Sequence, residues 1–146
     1  MQEILLVEDS ESDVRLFQRT LALAGVHNKV RSFATGNEAL VAFTEIEESA
    51  RRIGGSCRSV LMIDLRLPDI SGFDILAWLH QRPVFASSLR VVLSQLDDIP
   101  SIRQAYELGA NSFLIKPAKQ EDLDELIKVF PGYWHRAWEA PQLASG

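Results

Sequence analysis

Residues 60–72 read VLMIDLRLPDISG, and this stretch decides the predicted fold. Its first four residues, 60–63, are apolar without interruption up to Asp64, and a loop containing Pro68 and Gly72 follows. Such a run is typical of a strand buried on both faces of a parallel sheet. Ligands and reactive groups collect at the carboxyl ends of such strands, so Asp64 is a candidate site residue. From this stretch alone, Asp64 could equally be a cap of the helix that follows the loop.

Four further apolar runs alternate with segments of helical periodicity. The apolar runs cover residues 3–8, 28–33, 90–94 and 112–116. The helical segments cover residues 10–24, 36–48, 72–81, 98–109 and 119–130. Strands that alternate with helices predict an α/β fold, in which helices cover both faces of a doubly wound parallel sheet.

Composition and charge exclude several classes of protein. The chain has 146 residues, of which 47% are hydrophobic and 24% charged, which suits one globular domain. The net charge is -5, and no basic cluster exceeds the Arg51 and Arg52 pair, so we expect no nucleic-acid binding. No apolar run approaches the roughly 18 residues that span a bilayer, and no signal-type segment follows Met1. We therefore expect a cytoplasmic protein without a membrane partner. The lone Cys57 excludes an intramolecular disulfide.

Polar residues follow four of the five predicted strands. They are Glu8 and Asp9 after the first strand, Asp64 after the third, Ser94 after the fourth and Lys116 after the fifth. In a sheet of order 2-1-3-4-5 the first and third strands are neighbours, so three carboxylates would meet at the topological switch point. Their mutual repulsion would be relieved by a bound divalent cation, by protonation or by a nearby positive charge, of which Lys116 supplies one. Oxygen ligands without a nearby histidine or cysteine favour Mg²⁺ over zinc.

These residues resemble the receiver domain of two-component response regulators. The separations from Asp64 to Ser94 and from Ser94 to Lys116 are those of the family. The sequences around these residues also resemble the family, namely VEDSESD at 7–13, DLRLPDISGFDIL at 64–76 and AYELGANSFLIKP at 105–117. The resemblance implies a flavodoxin-like five-stranded sheet of order 2-1-3-4-5 over residues 1–130, with residues 131–146 as a carboxyl-terminal extension.

The resemblance implies that Asp64 accepts a phosphoryl group from a phosphohistidine of a sensor histidine kinase. Glu8, Asp9 and Asp64, together with the backbone carbonyl of Arg66, would hold Mg²⁺. The cation would offset charge on the transferring phosphoryl oxygens.

The same resemblance implies roles for residues on the fourth and fifth strands. Lys116 would pair with the phosphoryl group, and Ser94 would hydrogen-bond one of its oxygens. In the family, the aromatic residue at the Phe113 position rotates when that hydroxyl moves, which changes the face made by the fourth helix, fifth strand and fifth helix. A purely structural Phe113, packed in one rotamer, is the alternative. A cis bond is implied between Lys116 and Pro117.

Three features depart from the common pattern of the family. Gln95 stands where a small residue is usual, and Arg66 and Leu96 flank the line of attack for water, which leaves the lifetime of a phosphorylated state open. The segment 44–58 is longer than in common receivers, and we interpret it as a solvated loop rather than a docking surface.

The carboxyl-terminal region is rich in aromatic residues. They are Phe130, Tyr133, Trp134 and Trp138. A helix after Pro131 would place them in one stripe, which would either extend the core or form a self-association surface. Tryptophan and tyrosine are enriched in interface cores, which favours a homodimer. His135 is expected at the surface.

The chain ends soon after residue 140, so we expect no attached DNA-binding or enzymatic domain. The long segment and the aromatic tail resemble regulators that accompany bacterial phytochrome kinases. Two alternative functions are weaker. A phosphatase with Asp64 as nucleophile would need an acid–base aspartate where Arg66 stands. A pseudo-receiver that binds partners without being phosphorylated would not need the complete acidic set and Lys116. We thus expect no enzyme activity beyond the protein's own phosphorylation and dephosphorylation.

Overall fold

The structure is a computed structural model that describes residues 2–136, and it contains one five-stranded sheet. The strands are β1 (Ile4–Val7), β2 (Val30–Phe33), β3 (Val60–Ile63), β4 (Leu89–Ser94) and β5 (Ser112–Ile115). Their order is β2-β1-β3-β4-β5, and every neighbouring pair is parallel. The predicted flavodoxin-like α/β fold is therefore confirmed.

Five helices cover the two faces of the sheet. They are α1 (Glu11–Leu23), α2 (Gly36–Ile53), α3 (Gly72–His80), α4 (Ile99–Glu107) and α5 (Gln120–Val129). Alternate residues of each strand point to opposite faces, so Ile4 and Leu6 pack with α1 and α5, whereas Leu5 and Val7 pack with α2, α3 and α4. Within residues 2–136, no helix is both long and apolar enough to cross a membrane.

The prediction of a loop is wrong for residues 49–53, which are helical, whereas most of the segment 44–58 is exposed, as the interpretation of a solvated segment expects. Helix α2 continues to Ile53, and it ends where Gly54 adopts a left-handed conformation with φ of 69°. Glu47 is buried on α2, and its Oε2 lies 3.5 Å from Nε of Arg82 and 3.5 Å from Nη2 of Arg51. Arg51, one of the charges that favoured a loop, is thus ion-paired within the helix.

Cys57 follows this helix and belongs to the core. Its side chain is buried, and its backbone N–H donates to the carbonyl oxygen of Val84 at 2.8 Å. Burial raises the pKa of the thiol, which keeps it protonated and unreactive.

The predicted helix after Pro131 is absent from the described part of the tail. Residues 131–136 form turns, and Arg136 makes an isolated antiparallel bridge to Val26. Three aromatic side chains pack against the core beside α1 and α5: Phe130, Tyr133 and Trp134. Of the two predicted roles for the aromatic stripe, these three residues therefore fit the one in which they extend the core. Trp138 lies outside the described residues, and self-association stays a prediction.

Polar contacts fix this tail at the amino-terminal edge of the sheet. The side chain of Asn28 donates to the carbonyl oxygen of Tyr133 at 2.9 Å and accepts from the backbone N–H of His135 at 2.6 Å. Nε2 of His135 accepts from the backbone N–H of Gln2 at 3.1 Å. His135, which was expected at the surface, is thus half-buried. Tyr133 also donates its hydroxyl proton to the carbonyl oxygen of Ser87. These contacts run between segments distant in sequence, and they replace the bonds that a helix would have made.

Candidate functional site

Three carboxylates lie together at the carboxyl edge of the sheet. Glu8 and Asp9 follow β1, and Asp64 follows the neighbouring strand β3. One carboxylate oxygen from each lies within 4.8 Å of those of the other two. Glu8 and Asp64 are buried, whereas Asp9 is exposed. The structure thus brings together three residues that the sequence proposes as metal ligands, with one side of the cluster open to solvent.

Lys116 reaches into this cluster from the end of β5. Its Nζ lies 2.9 Å from Oδ2 of Asp64 and also contacts Oε1 of Glu8. Desolvation alone would lower the pKa of Lys116, but its contacts with Glu8 and Asp64 outweigh desolvation and raise it, so the ammonium stays charged. The bond from Lys116 to Pro117 is cis, as the resemblance implies.

A fourth carboxylate, Asp13, also contacts Lys116, and the sequence analysis missed it. Oδ2 of Asp13 lies 3.2 Å from Nζ of Lys116. Ser10 caps helix α1 by accepting the backbone N–H of Asp13, which places Asp13 in the first turn. Helical spacing gave no signal for it, because Asp9 precedes the N-cap Ser10 and only Asp13 lies on the helix.

The oxygen donors of the cluster fit a hard divalent cation such as Mg²⁺. Within residues 2–136, the buried Oε1 of Glu8 contacts Lys116 but makes no hydrogen bond. That oxygen therefore keeps lone-pair capacity that a cation could use. Oδ1 of Asp64 accepts the backbone N–H of Arg66 at 3.0 Å, which fixes the turn that carries the Arg66 carbonyl. The role of that carbonyl as a ligand stays a prediction.

Backbone contacts hold Asp64 in place. Its N–H donates to the carbonyl oxygen of Val7 at 3.0 Å, and the N–H of Gly72 donates to the carbonyl oxygen of Leu65 at 3.0 Å. A Cβ atom at Gly72 would lie 2.3 Å from the carbonyl oxygen of Asp64. Only glycine lets the start of α3 approach β3 this closely, so the ISG part of the motif shapes the site.

Residues 4–128 match the family described as response regulator receiver domain. The chain belongs to this family. The match covers all five strands and all the candidate site residues named above. The family match and the observed sheet order therefore both support the fold that the resemblance implied. The role of each residue in this receiver stays a prediction.

Several known proteins are similar to this receiver over most of their length. The probable methanogenesis regulatory protein FilR2 of Methanothrix harundinacea is 30% identical over 131 residues, which are 90% of this chain and 82% of that protein. The response regulator Rcp1 of Synechocystis is 28% identical over 131 residues, which are 90% of this chain and 87% of Rcp1.

Solved structures give the same fold. The Mn²⁺-bound form of Rcp1 is similar with a TM-score of 0.66 and 26% identity, over 97% of this chain and 99% of that one. RPA3017, a response regulator in red light signalling of R. palustris, is similar with a TM-score of 0.73 over 95% of this chain and 100% of that one. Because the two sequences are only 21% identical, this likeness shows a shared fold and nothing more.

The proposed switch residues of the receiver lie on β4 and β5. Ser94 is fully buried, and its Oγ accepts the backbone N–H of Leu96 at 3.1 Å. Its backbone carbonyl accepts the N–H of Lys116 at 2.8 Å, which ties the two strand ends together. Phe113 is half-buried against the core on the α2, α3 and α4 face. Gln95 is exposed and lines a cavity beside Lys116.

Burial gives Glu8 an unusual protonation equilibrium. Desolvation, with a smaller contribution from the charge of Asp64, raises the pKa of Glu8 to about 7. The contacts of Glu8 with Lys116 and with the backbone N–H of Ser10 act in the opposite direction and are outweighed. Glu8 is therefore partly protonated near neutral pH.

We expect Mg²⁺ affinity to depend on pH because only the ionised form of Glu8 is a good ligand. Below pH 7 a proton must leave before the cation binds, so the affinity should fall by up to about tenfold per pH unit, and it should level off above about pH 8. Titration with Mg²⁺ between about pH 5.5 and 8.5 measures this. A Glu8→Gln variant should bind more weakly and with a flatter profile. A wild-type profile as flat as that of Glu8→Gln would contradict the expectation.

Proposed function

We propose that this receiver accepts a phosphoryl group from a sensor histidine kinase onto Asp64 and signals through a conformational switch. The observation that supports this most is the 2.9 Å contact between Nζ of Lys116 and Oδ2 of Asp64. It pairs a buried nucleophile with a fixed positive charge at the edge of the sheet where Glu8 and Asp9 also stand. Receiver domains are not enzymes in the usual sense, since the protein itself is the product.

The reaction needs a carboxylate nucleophile and compensation for phosphoryl charge. An oxygen of Asp64 attacks the phosphorus of a phosphohistidine, the new O–P bond forms as the P–N bond breaks, and the imidazole leaves. Held by Glu8, Asp9 and Asp64, Mg²⁺ would offset negative charge on the phosphoryl oxygens. Lys116 stays charged because its pKa is raised, so it can transfer its contacts from the carboxylates to the phosphoryl group.

The conformational switch follows from a change of contacts at Ser94. Its hydroxyl oxygen accepts from the backbone N–H of Leu96, which leaves the hydroxyl proton free to donate to a phosphoryl oxygen. Movement of Ser94 would open space for Phe113 and change the face made by α4, β5 and α5. The free energy for this change comes from contacts made only to the phosphorylated form.

The partner is proposed to be a cytoplasmic histidine kinase, and a bacteriophytochrome is the favoured one. Support comes from the likeness to a red-light regulator of R. palustris and from the two features noted in the sequence, the longer segment between β2 and β3 and the aromatic tail. A panel of kinases tests this choice. A bacteriophytochrome should transfer phosphoryl groups faster than kinases of other sensory classes, and equal rates would contradict it.

Incubation with acetyl phosphate and Mg²⁺, followed by intact-mass spectrometry, tests the proposed function. We expect one phosphoryl adduct on the wild type, none after chelation of the metal and none on Asp64→Asn. Asp122→Asn, an identical change on the exposed face of α5, should leave the adduct unchanged. A wild type that gains no adduct after prolonged incubation would favour the pseudo-receiver. Rapid turnover of varied phosphate esters would favour the phosphatase.

We further propose that the aromatic tail forms a homodimer interface. Trp134 is half-buried, and its Nε1–H donates to the carbonyl oxygen of Phe130 at 3.0 Å, so its ring has a defined position beside α5. Light scattering at micromolar concentration should show a wild-type dimer that Trp134→Ala and Trp138→Ala dissociate. Tyr106→Ala, on the exposed face of α4, should remain dimeric. A monomeric wild type, or a dimer lost only in Tyr106→Ala, would contradict this interface.

A further inference from the structure

We propose that Asp13 is a positioning residue for phosphoryl transfer, which holds Nζ of Lys116 in the site while Glu8 and Asp64 serve as metal ligands. This inference rests on the proposed function and adds a residue that the metal and phosphoryl roles do not include. Its basis is the geometry around one ammonium group.

The ammonium group of Lys116 has as many carboxylate neighbours as it has N–H donors. An ammonium group carries three N–H bonds and accepts none. In the structure, Nζ contacts Oε1 of Glu8, Oδ2 of Asp64 at 2.9 Å and Oδ2 of Asp13 at 3.2 Å. The contacts with Asp64 and Asp13 are charge-assisted hydrogen bonds, and the contact with Glu8 is an ion pair, so three carboxylates surround one ammonium group.

Asp13 differs from the other two carboxylates in its surroundings. Glu8 and Asp64 belong to the cluster whose oxygens could hold a metal ion, whereas Asp13 does not. The side chain of Asp13 is 37% exposed, while that of Lys116 is 10% exposed. Asp13 therefore lies between Lys116 and solvent. Both residues line a cavity of about 90 Å³ between α1 and the segment after β5.

This difference matters once the metal ligands are engaged. Oxygens of Glu8 and Asp64 that bind a cation are less available to the ammonium, and the cation itself repels Lys116. Asp13 then becomes the partner that keeps the ammonium near Asp64. Its place in the first turn of α1 suits this role, because a carboxylate there is also stabilised by the helix dipole.

Chemical labelling of Lys116 tests the proposal without any phosphorylation. Limited acetylation with acetic anhydride, read by peptide mass spectrometry at saturating Mg²⁺, should modify Lys116 about three- to fivefold faster in Asp13→Ala than in the wild type. Without Mg²⁺ the difference should fall below about twofold, since Glu8 and Asp64 then still hold the ammonium. Labelling of Lys116 that is the same in both proteins at saturating Mg²⁺ would overturn the proposal.

Phosphorylation kinetics provide the second measurement. With acetyl phosphate, Asp13→Ala should react about fivefold more slowly, and Asp13→Asn, which keeps an acceptor oxygen without the charge, should lie in between. Mg²⁺ affinity should remain within about twofold of the wild type in both variants, because Asp13 is not a ligand. A parallel loss of Mg²⁺ affinity would overturn the proposal, since Asp13 would then act through the metal site.

Glu11→Gln is the matched control. Glu11 lies in the same first turn of α1, its side chain is 92% exposed, and its ion pair is with Arg15 rather than with Lys116. This variant removes the same charge and should change neither labelling nor rate. Equal effects of Glu11→Gln and Asp13→Ala would show that only the net charge of α1 matters and would overturn the proposal.

If the wild type gains no phosphoryl adduct, the proposed function fails, and the labelling ratio still decides the role of Asp13. Should Asp13→Ala fail to fold, Asp13→Asn decides by the same labelling.

Discussion

Replacement of Lys116 by glutamine is expected to slow the phosphorylation of Asp64 by about 100-fold and, at the same time, to strengthen Mg²⁺ binding by about tenfold. The first effect follows because the ammonium group is a positive charge of the protein beside the proposed phosphoryl acceptor, 2.9 Å from Oδ2 of Asp64. A neutral amide can still donate a hydrogen bond, but it cannot offset the charge that gathers on the phosphoryl oxygens.

The second effect follows because Lys116 and a cation use the same oxygens. Glu8 and Asp64 both contact Nζ of Lys116 in the structure. Without the lysine, these carboxylates lose a competing positive charge, and their repulsion favours the cation more strongly. If Lys116 only supported the structure of the site, its replacement would both slow the reaction and weaken Mg²⁺ binding. A slower reaction combined with stronger Mg²⁺ binding therefore identifies competition between Lys116 and the cation.

Stopped-flow phosphorylation with acetyl phosphate and a Mg²⁺ titration, both at about pH 8 so that Glu8 is largely ionised, measure the two effects. Lys119→Gln is the control, because Lys119 carries the same charge three positions later on the exposed side of the start of α5. Its rate and affinity should match those of the wild type. Weaker Mg²⁺ binding by Lys116→Gln would contradict the proposed competition.

Gly72→Ala is expected to lower the free energy of unfolding by about 3 kcal/mol. The added Cβ would lie 2.3 Å from the carbonyl oxygen of Asp64 and 2.7 Å from Cα of Leu65. Both are backbone atoms of the turn after β3, so neither can rotate away as a side chain would. Either α3 moves away from the sheet or the turn shifts, and a shifted turn also displaces the carboxylate of Asp64.

Urea denaturation of Gly72→Ala and Gly55→Ala measures the free energy of unfolding of each variant. The difference between them separates the effect of the close contact at residue 72 from the general effect of replacing glycine. At Gly55 a Cβ would make ordinary contacts, the nearest being 3.4 Å from a side-chain atom of Ile53 and 4.0 Å from the carbonyl oxygen of Ala50, so the change should stay within about 0.5 kcal/mol. Gly72→Ala should also accept phosphoryl groups more slowly than the wild type at equal fractions folded. Equal stability of the two variants would show that the turn tolerates a side chain at residue 72.

The sequence was sufficient for the sheet and for the convergence of the acidic residues. The four residues before Asp64 are buried on both faces, and parallel strands place their carboxyl ends at one edge. Glu8, Asp9 and Asp64 therefore had to approach each other once the strand order was known. Backbone topology fixed this part of the site, and hydrophobic patterning reports backbone topology well.

Features that depend on long-range side-chain contacts were not predictable in the same way. Helix α2 continues to Ile53 although its last turns are highly charged, and the buried Glu47 of this helix lies 3.5 Å from Arg82 of a distant segment. The contact of Asp13 with Lys116 depends on where α1 begins and on the orientation of a single side chain. Neither leaves a periodic pattern in the sequence.

The tail shows the same limit. Aromatic spacing after Pro131 favoured a helix, but the side chain of Asn28 donates to the carbonyl oxygen of Tyr133 and accepts from the N–H of His135, which an irregular chain leaves available. Asn28 lies before β2, more than one hundred residues earlier in the sequence. Local spacing cannot report such a partner.

The central claim is that Asp64 carries the phosphoryl group. Borohydride reduction converts an aspartyl phosphate to homoserine, which peptide mass spectrometry locates to a single residue. After treatment of the wild type with acetyl phosphate and Mg²⁺, we expect homoserine at position 64 and at no other carboxylate of the site. Homoserine at position 9 or 13, or its absence from position 64 in protein that carries the phosphoryl adduct, would contradict the role of Asp64 as phosphoryl acceptor.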